Sequence, residues 1–187
     1  MASTSDFKNG LIIEHKKNLW KIIEFLHVKP GKGSAFVRSK LKNIRTQQVV
    51  DETFRAGEKI IIVRVEARNY TYLYNDDNNY VFMDQETFDQ INLSKVQIQD
   101  VLEFLVENVN ATIAFHDTDP IEVRIPQHIN IKVSETDPGE KGNTAQGGTK
   151  QAVLETGVSI QVPLFVQIGD TIRVDTKEKR YIERVKY

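Results

Sequence analysis

Apolar and polar residues alternate in short runs along the whole chain, which predicts β-strands rather than helices. The runs are separated by clusters of Gly, Pro, Asn and Asp and recur about every 8–12 residues, as in all-β barrels and sandwiches. Composition shifts divide the runs into three segments, 1–64, 65–127 and 128–187. The pattern therefore predicts an all-β protein of three small β-barrels in series, the last two suiting the OB type.

The clearest predicted element is a β-hairpin in the first segment. Its strands are Leu19–Val28 and Phe36–Arg45, both rich in β-branched and aromatic residues. The turn between them reads Lys29-Pro30-Gly31-Lys32-Gly33-Ser34-Ala35. Gly31 and Gly33 permit positive φ on either side of Lys32, so the hairpin would hold one ammonium group at its tip.

The second strand of this hairpin is predicted to be two-sided. Its period of two places Ala35, Val37 and Leu41 on one face and Arg38, Lys40 and Lys42 on the other. No Asp or Glu occurs between Glu24 and Asp51. Two interpretations remain open: a cationic surface for a polyanion, or a solvated turn and a strand kept soluble by its charges. A phosphate-binding P-loop is excluded, because the early Gly and the Ser or Thr after the Lys are missing.

Charge is divided unevenly along a chain whose net charge is only −1. Residues 1–64 hold 13 Lys or Arg and 6 Asp or Glu, whereas residues 65–127 hold 3 and 12, and residues 128–187 hold 9 and 8. This asymmetry predicts a polyanion partner for the first segment and a different environment for the second.

Other elements are weaker predictions. Tyr-rich strands on either side of Asn75–Asn79 predict a hairpin with a five-residue loop, which lacks the spacing of a calcium site. Asp84–Phe88 and Gln99–Leu105 suggest short helical turns, and Phe165–Ile168 falls among the strands of the last segment. A long Gly-rich loop follows Asp137, and loops of this length are often functional.

The sequence offers little for catalysis or for a membrane. There is no Cys, the four His residues lie far apart, and no nucleophile or nucleotide motif is present, so we expect neither a metal site nor an enzyme. The N-terminus has no apolar signal region, and the longest apolar runs are as short as Ile60–Val63. The expectation is a soluble cytoplasmic protein.

Three motifs resemble the bacterial elongation factor P family over essentially the whole chain. They are Lys29-Pro30-Gly31-Lys32-Gly33-Ser34-Ala35-Phe36-Val37-Arg38; Lys150-x-Ala152-x4-Gly157-x2-Ile160-x-Val162-Pro163; and Tyr181-x2-Arg184-Val185-Lys186. The resemblance implies an SH3-like (KOW-type) first domain and two OB domains, arranged as an L of tRNA size. More distantly, the chain resembles the hypusine-bearing factor of eukaryotes and archaea, which lacks the third domain.

The resemblance also implies a function. Members bind the ribosome between the peptidyl and exit sites and relieve stalling at consecutive prolines without being enzymes. Lys32, in the loop of Pro30, Gly31, Gly33 and Ser34, would approach the acceptor end of the peptidyl tRNA, and in many members a modifying enzyme extends the tip residue. The residues expected to contact tRNA or rRNA are Lys29, Arg38, Lys40, Lys42, Arg45, Tyr181 and Arg184. No separate cofactor and no partner subunit are implied.

One position departs from the family pattern. Members commonly carry Gly-Asp-Thr in the third-domain loop that reads the exit-site codon of the mRNA, whereas this chain has Gly142-Asn143-Thr144. Asn keeps an acceptor and gains a donor but loses the charge, so this codon contact is expected to differ.

A second class of function remains as an alternative. OB surfaces commonly bind single-stranded RNA, and Tyr70, Tyr72 and Tyr80 would then stack on bases. The acidic charge of the segment that carries them argues against this hypothesis, because an RNA groove is expected to be basic.

Overall fold

The computed structural model describes residues 2–138 and 148–185 of the chain. It confirms the all-β prediction, with three five-stranded sheets and two 3-10 helical turns, Thr4–Asp6 and Leu102–Phe104. The strands of the first sheet are β1 (Ile12–His15), β2 (Asn18–Val28), β3 (Phe36–Asn43), β4 (Val49–Arg55) and β5 (Ile61–Ile62). Those of the second are β6 (Glu66–Asp76), β7 (Asn79–Asp84), β8 (Gln90–Ser94), β9 (Asn110–His116) and β10 (Asp119–Arg124). Those of the third are β11 (His128–Thr136), β12 (Thr149–Leu154), β13 (Ser159–Pro163), β14 (Thr171–Asp175) and β15 (Arg180–Arg184).

The first sheet has the strand order β4-β3-β2-β1-β5. One face of it closes over an apolar core, because alternate residues of each strand point inward. In β3 the inward residues include Val37 and Leu41, which pack in one cluster with Phe7, Ile22 and Phe54. The hairpin of β2 and β3 is therefore anchored in the core at its base.

The second sheet has the order β10-β9-β6-β7-β8, and the turn between β6 and β7 corrects one prediction. The expected five-residue loop is wrong, because Asn75 pairs with Tyr80 and Asp76 with Asn79, so that only Asp77 and Asn78 form the turn. Asp77 has φ 42°, a conformation that Asp tolerates better than most residues. Pairing therefore continues further than the polar composition suggested.

The two helical predictions in the same region hold only in part. Asp84–Phe88 is a turn rather than a helix, capped by the Asp84 side chain and ending at Phe88 with φ 63°. Within Gln99–Leu105, only Leu102–Phe104 is helical, as a single 3-10 turn. Segments this short cannot repay the cost of helix nucleation, so their conformation follows from the neighbouring strands.

The third sheet has the order β13-β12-β11-β14-β15. Its core includes the inward residues Ile129, Ile131 and Val133 of β11, in the alternation that the sequence predicts. The expected strand at Phe165–Ile168 is wrong, since these residues form the turn region between β13 and β14. Only Val166 of this segment is buried, so its apolar character is not that of a half-buried strand.

By the density of internal contacts, the chain divides into two compact units. One comprises Met1–Ala67 with Ala114–Glu122, and the other Arg68–Ile113 with Val123–Tyr187. The sequence-based domain ranges 1–64, 65–127 and 128–187 stay a prediction. Within the described residues, none of the helices has the length and hydropathy needed to span a bilayer.

Candidate nucleic-acid interface

The hairpin of β2 and β3 carries the residues on which the sequence prediction is centred. The two strands pair antiparallel until Val28 faces Phe36, and residues 29–35 then form the loop that joins them, here called the tip loop. Both strands contribute side chains to the core, Ile22 from β2 and Val37 and Leu41 from β3, so the tip loop is carried on packed strands. The hairpin itself was predicted correctly.

Lys32 lies at the exposed end of this hairpin. All residues from Lys29 to Ser34 are exposed, and no carboxylate oxygen of the described residues lies within 4.0 Å of the Lys32 ammonium. Gly33 has φ 104°, a backbone conformation in which any side chain would be strained. Gly31 does not have a positive φ of this kind. Thus only one of the two glycines supplies the positive φ that the sequence suggested for the turn.

Arg38 extends the positive charge of the tip loop onto β3. It is exposed on the outer face of the sheet, where its neighbours across the strands are Leu26 and Thr53 rather than acids. Its guanidinium carbon lies 5.5 Å from the centroid of the Phe36 ring, within the range of a cation–π contact. The side chain is thereby directed along the face, and within residues 2–138 and 148–185 its guanidinium forms no ion pair with a carboxylate.

Lys40 differs from Arg38 although both lie on the same face of β3. Its ammonium is 3.5 Å from a carboxylate oxygen of Glu24, and Asp51 is its register partner on β4. Further along, a guanidinium nitrogen of Arg45 lies 3.7 Å from a carboxylate oxygen of Asp119. Lys42 is half-buried. The predicted cationic stripe therefore keeps its positive excess at the end near the tip loop.

Sequence reasoning missed one cation in this region, Arg55. It is exposed at the end of β4, and the sheet register places it directly opposite Phe36. A backbone hydrogen bond of 3.1 Å from the Ala56 N–H to the Ala35 carbonyl ties this end of β4 to the tip loop. Only the register of β3 and β4 shows that Arg55 lies near the tip loop, because Arg55 is far from Lys32 in the sequence.

A second cluster of predicted site residues lies on the third sheet. Arg184 ends β15 beside the β13–β14 turn, with a guanidinium nitrogen 3.4 Å from an Asp170 carboxylate oxygen and its central carbon 5.3 Å from the Phe165 ring centroid. Tyr181 is half-buried against the core, and this burial raises the pKa of its phenol. Tyr181 and Arg184 thus lie in one region, in which Arg184 presents its charge while Tyr181 mainly packs.

The predicted codon loop, Gly142, Asn143 and Thr144, lies outside the described residues. Of the neighbouring residues, Lys150 donates a hydrogen bond to the Asp137 carbonyl oxygen across the base of this loop.

The tyrosines of the alternative hypothesis are poorly placed for stacking on bases. Tyr70 and Tyr72 are buried, and burial raises the pKa of both phenols. The centroid of the Tyr72 ring lies 5.2 Å from that of Phe82 and 6.2 Å from that of Tyr80, so these rings pack with one another. Base stacking requires an exposed ring face, which argues against this strand as an RNA platform.

Among residues 2–138 and 148–185, no group of three or more His, Asp or Glu side chains is placed to hold a metal ion.

Comparison with known families gives three matches that together span the chain. Residues 3–60 match the elongation factor P KOW-like domain, residues 65–123 the elongation factor P OB domain, and residues 129–184 the elongation factor P C-terminal domain. The first two matches agree with the prediction of a KOW-type domain followed by an OB domain, and the third assigns residues 129–184 to the C-terminal domain of the same family.

Relatives that match almost the whole chain are also elongation factors P. An elongation factor P of Moorella thermoacetica is 53% identical over 184 residues, covering 98% of this chain and 100% of the relative. One of Rhodococcus erythropolis is 50% identical over 185 residues, covering 99% of each. A solved structure described as eukaryotic translation initiation factor 5A from Methanococcus jannaschii has a TM-score of 0.49 and 17% identity, covering 67% of this chain and 92% of that one.

Proposed function

Because this chain belongs to the elongation factor P family of translation elongation factors, we propose that it binds the ribosome between the peptidyl and exit sites. There it stimulates peptide-bond formation at consecutive prolines by positioning the acceptor end of the peptidyl tRNA. The observation that carries this proposal is the exposed Lys32, without a carboxylate partner among the described residues, on a core-anchored hairpin. Its site of action would be the cytoplasm.

The proposed mechanism uses order rather than chemistry by the protein itself. Proline is a constrained secondary amine, so bond formation between prolines depends strongly on how the two reactants are held. A long cationic side chain that contacts RNA backbone and sugar can restrict the acceptor end without transferring a proton. Lys29, Arg38 and Arg55 would neutralise phosphates around it, a contribution that weakens as salt concentration rises.

Covalent extension of Lys32 is part of this proposal. The side chain is accessible and flanked by glycines, so an enzyme could reach its ammonium nitrogen without displacing a neighbouring side chain. A longer group would extend the reach of the tip loop toward the tRNA. The intact mass of protein purified from its own cells, followed by fragment mapping of Lys32, would reveal such an adduct, whereas an unmodified mass would refute this part of the proposal.

Two further predicted contacts belong to the same proposal. Arg184 would bind the tRNA through its guanidinium group, and Gly142, Asn143 and Thr144 would approach the mRNA codon in the exit site. The chain would act as a monomer. An Asn143→Asp variant restores the residue that is common in the family. Comparing its affinity for ribosomes that differ only in the exit-site codon tests the codon contact.

The central experiment compares Lys32→Ala with Lys177→Ala in a translation assay on a message with consecutive prolines. Lys177 is an exposed turn lysine on the third sheet and serves as the matched control. We expect Lys32→Ala to fold normally and to lose relief of stalling, while Lys177→Ala keeps it. Normal relief by Lys32→Ala would refute the proposal, and tight binding of free RNA oligonucleotides would favour the general RNA-binding alternative.

A further inference from the structure

We propose that Phe165 is a positioning residue for RNA binding, which holds Arg184 so that one edge of the guanidinium faces a phosphate. This inference rests on the proposed function, in which the third sheet contacts tRNA. Phe165 belongs to the segment that the sequence predicted as a strand and that instead forms the β13–β14 turn.

The geometry fixes the guanidinium of Arg184 in two directions. The Phe165 ring covers one face, with 5.3 Å between its centroid and the guanidinium carbon. The Asp170 carboxylate takes one end, with 3.4 Å between its oxygen Oδ2 and the nitrogen Nη1. The same oxygen accepts a 2.9 Å hydrogen bond from the Gln167 backbone N–H, so the carboxylate is itself held by the turn.

These contacts leave the donors at Nε and Nη2 available. Among the described residues, neither atom has a hydrogen-bond acceptor, and the Arg184 side chain is 36% exposed. Two parallel N–H groups on a planar edge match two oxygens of a phosphate. Since Asp170 partly offsets the charge of Arg184, this contact would depend on orientation more than on net charge.

The fold of the free protein does not account for the Phe165 ring. Phe165 is 55% exposed, whereas the neighbouring Val166 is fully buried and supplies the apolar contact of this turn with the core. An exposed aromatic ring gains little from burial but can direct a cation. The role of Phe165 is therefore assigned through Arg184.

A double-mutant cycle tests this assignment on the full-length protein. The variants are Phe165→Leu, Arg184→Ala and the two combined, and the probe is the ribosome paused at consecutive prolines with its peptidyl tRNA bound. We expect Phe165→Leu to weaken binding about twofold to fivefold, the range of an exposed cation–π contact. In the Arg184→Ala background the same change should have no further effect, and Phe165→Trp should bind like the parent.

Two measurements separate positioning from a loss of structure. The thermal midpoint of Phe165→Leu should match that of the parent, while the ring-current shift of the Arg184 side-chain protons disappears from its NMR spectrum. Phe88→Leu, which alters an exposed aromatic residue in the turn between β7 and β8, is the control and should leave affinity unchanged.

Three outcomes would overturn the inference. They are an equal loss from Phe165→Leu with and without Arg184, unchanged binding by Phe165→Leu, and unchanged binding by Arg184→Ala. None of them touches the Lys32→Ala experiment, so failure here and failure of the proposed function can be told apart.

Discussion

The tip loop and the turns that follow three of the strands differ in how they are held in place. At the end of β3, β7 and β14, a buried Asn or Asp accepts hydrogen bonds from the backbone of the turn that follows. The tip loop has no buried side chain from Lys29 to Ser34. These three connecting turns are thus fixed by a buried side chain, whereas no side chain from Lys29 to Ser34 is buried to hold the loop with the candidate function.

The three fixed turns, here called the capped turns, share one geometry. In each, a single side-chain oxygen accepts from the backbone N–H groups two and three residues ahead, the pattern of an Asx turn. The distances are 2.9 and 3.0 Å for Asn43 to Arg45 and Thr46, 2.8 and 3.2 Å for Asp84 to Glu86 and Thr87, and 2.9 and 2.8 Å for Asp175 to Lys177 and Glu178. The device recurs once in each sheet.

The largest expected effect on stability is in the capped turn of the first sheet. Asn43→Ala removes an acceptor that is buried and bonded to two N–H groups, so the free energy of unfolding should fall by about 1–3 kcal/mol. Urea unfolding followed by the fluorescence of Trp20, which lies in the same sheet, would measure the change. Lys32→Ala in the tip loop is the contrasting variant and should unfold like the parent.

Asn43→Asp sharpens this test because it keeps the acceptor oxygen and adds the charge found in the other two capped turns. We expect it to be about as stable as the parent at neutral pH and less stable in acid. If Asn43→Ala were as stable as the parent, the side-chain acceptor would not be what fixes this turn.

The second effect in size concerns pH. The backbone N–H of Glu178, the Gln127 side chain and the nearby His128 lower the pKa of the Asp175 carboxyl. Its contribution to stability is therefore complete above the unfolded-state pKa of about 3.9 and is lost as pH falls through the lower folded-state value. Asp175→Asn keeps the acceptor, so its thermal midpoint should fall less between about pH 5 and pH 2. An equal fall in both proteins would contradict this account.

The sequence predicted where strands form better than it predicted which residues pair with one another. Alternation in β3 and β11 was sufficient to predict strands, because one face of each is buried. Phe165 was misplaced because an apolar run does not reveal whether its residues lie along a strand or around a turn. The pairing of Lys40 with Glu24 was also missed, since it depends on a register shift in β2 between Ile22 and Glu24. Local patterns therefore predict elements, whereas the distribution of charge follows from register.

A third prediction separates the two glycines of the tip loop. Gly33 has φ 104°, so Gly33→Ala should cost roughly 1 kcal/mol of stability, whereas Gly31→Ala meets no atom within 4 Å and should cost less than about 0.5 kcal/mol. Unfolding in urea measures both. Equal values for the two variants would mean that the loop relaxes freely and that Gly33 does not define its path.

The smallest expected effect is on the salt dependence of ribosome binding, and it compares two cations of β3, Arg38 and Lys40. Arg38→Gln removes a cation without a carboxylate partner among the described residues, so the slope of log affinity for the ribosome against log salt should fall by roughly 0.7–0.9, the value of one phosphate contact. Lys40→Gln removes a cation that already lies 3.5 Å from Glu24, so its slope should change by less than half as much. Equal changes would mean that Lys40 leaves Glu24 for the RNA on binding, in which case the ion pair of the free protein does not limit the interface. A larger change for Lys40 would place the contact surface toward the base of the hairpin and would separate it from the tip loop.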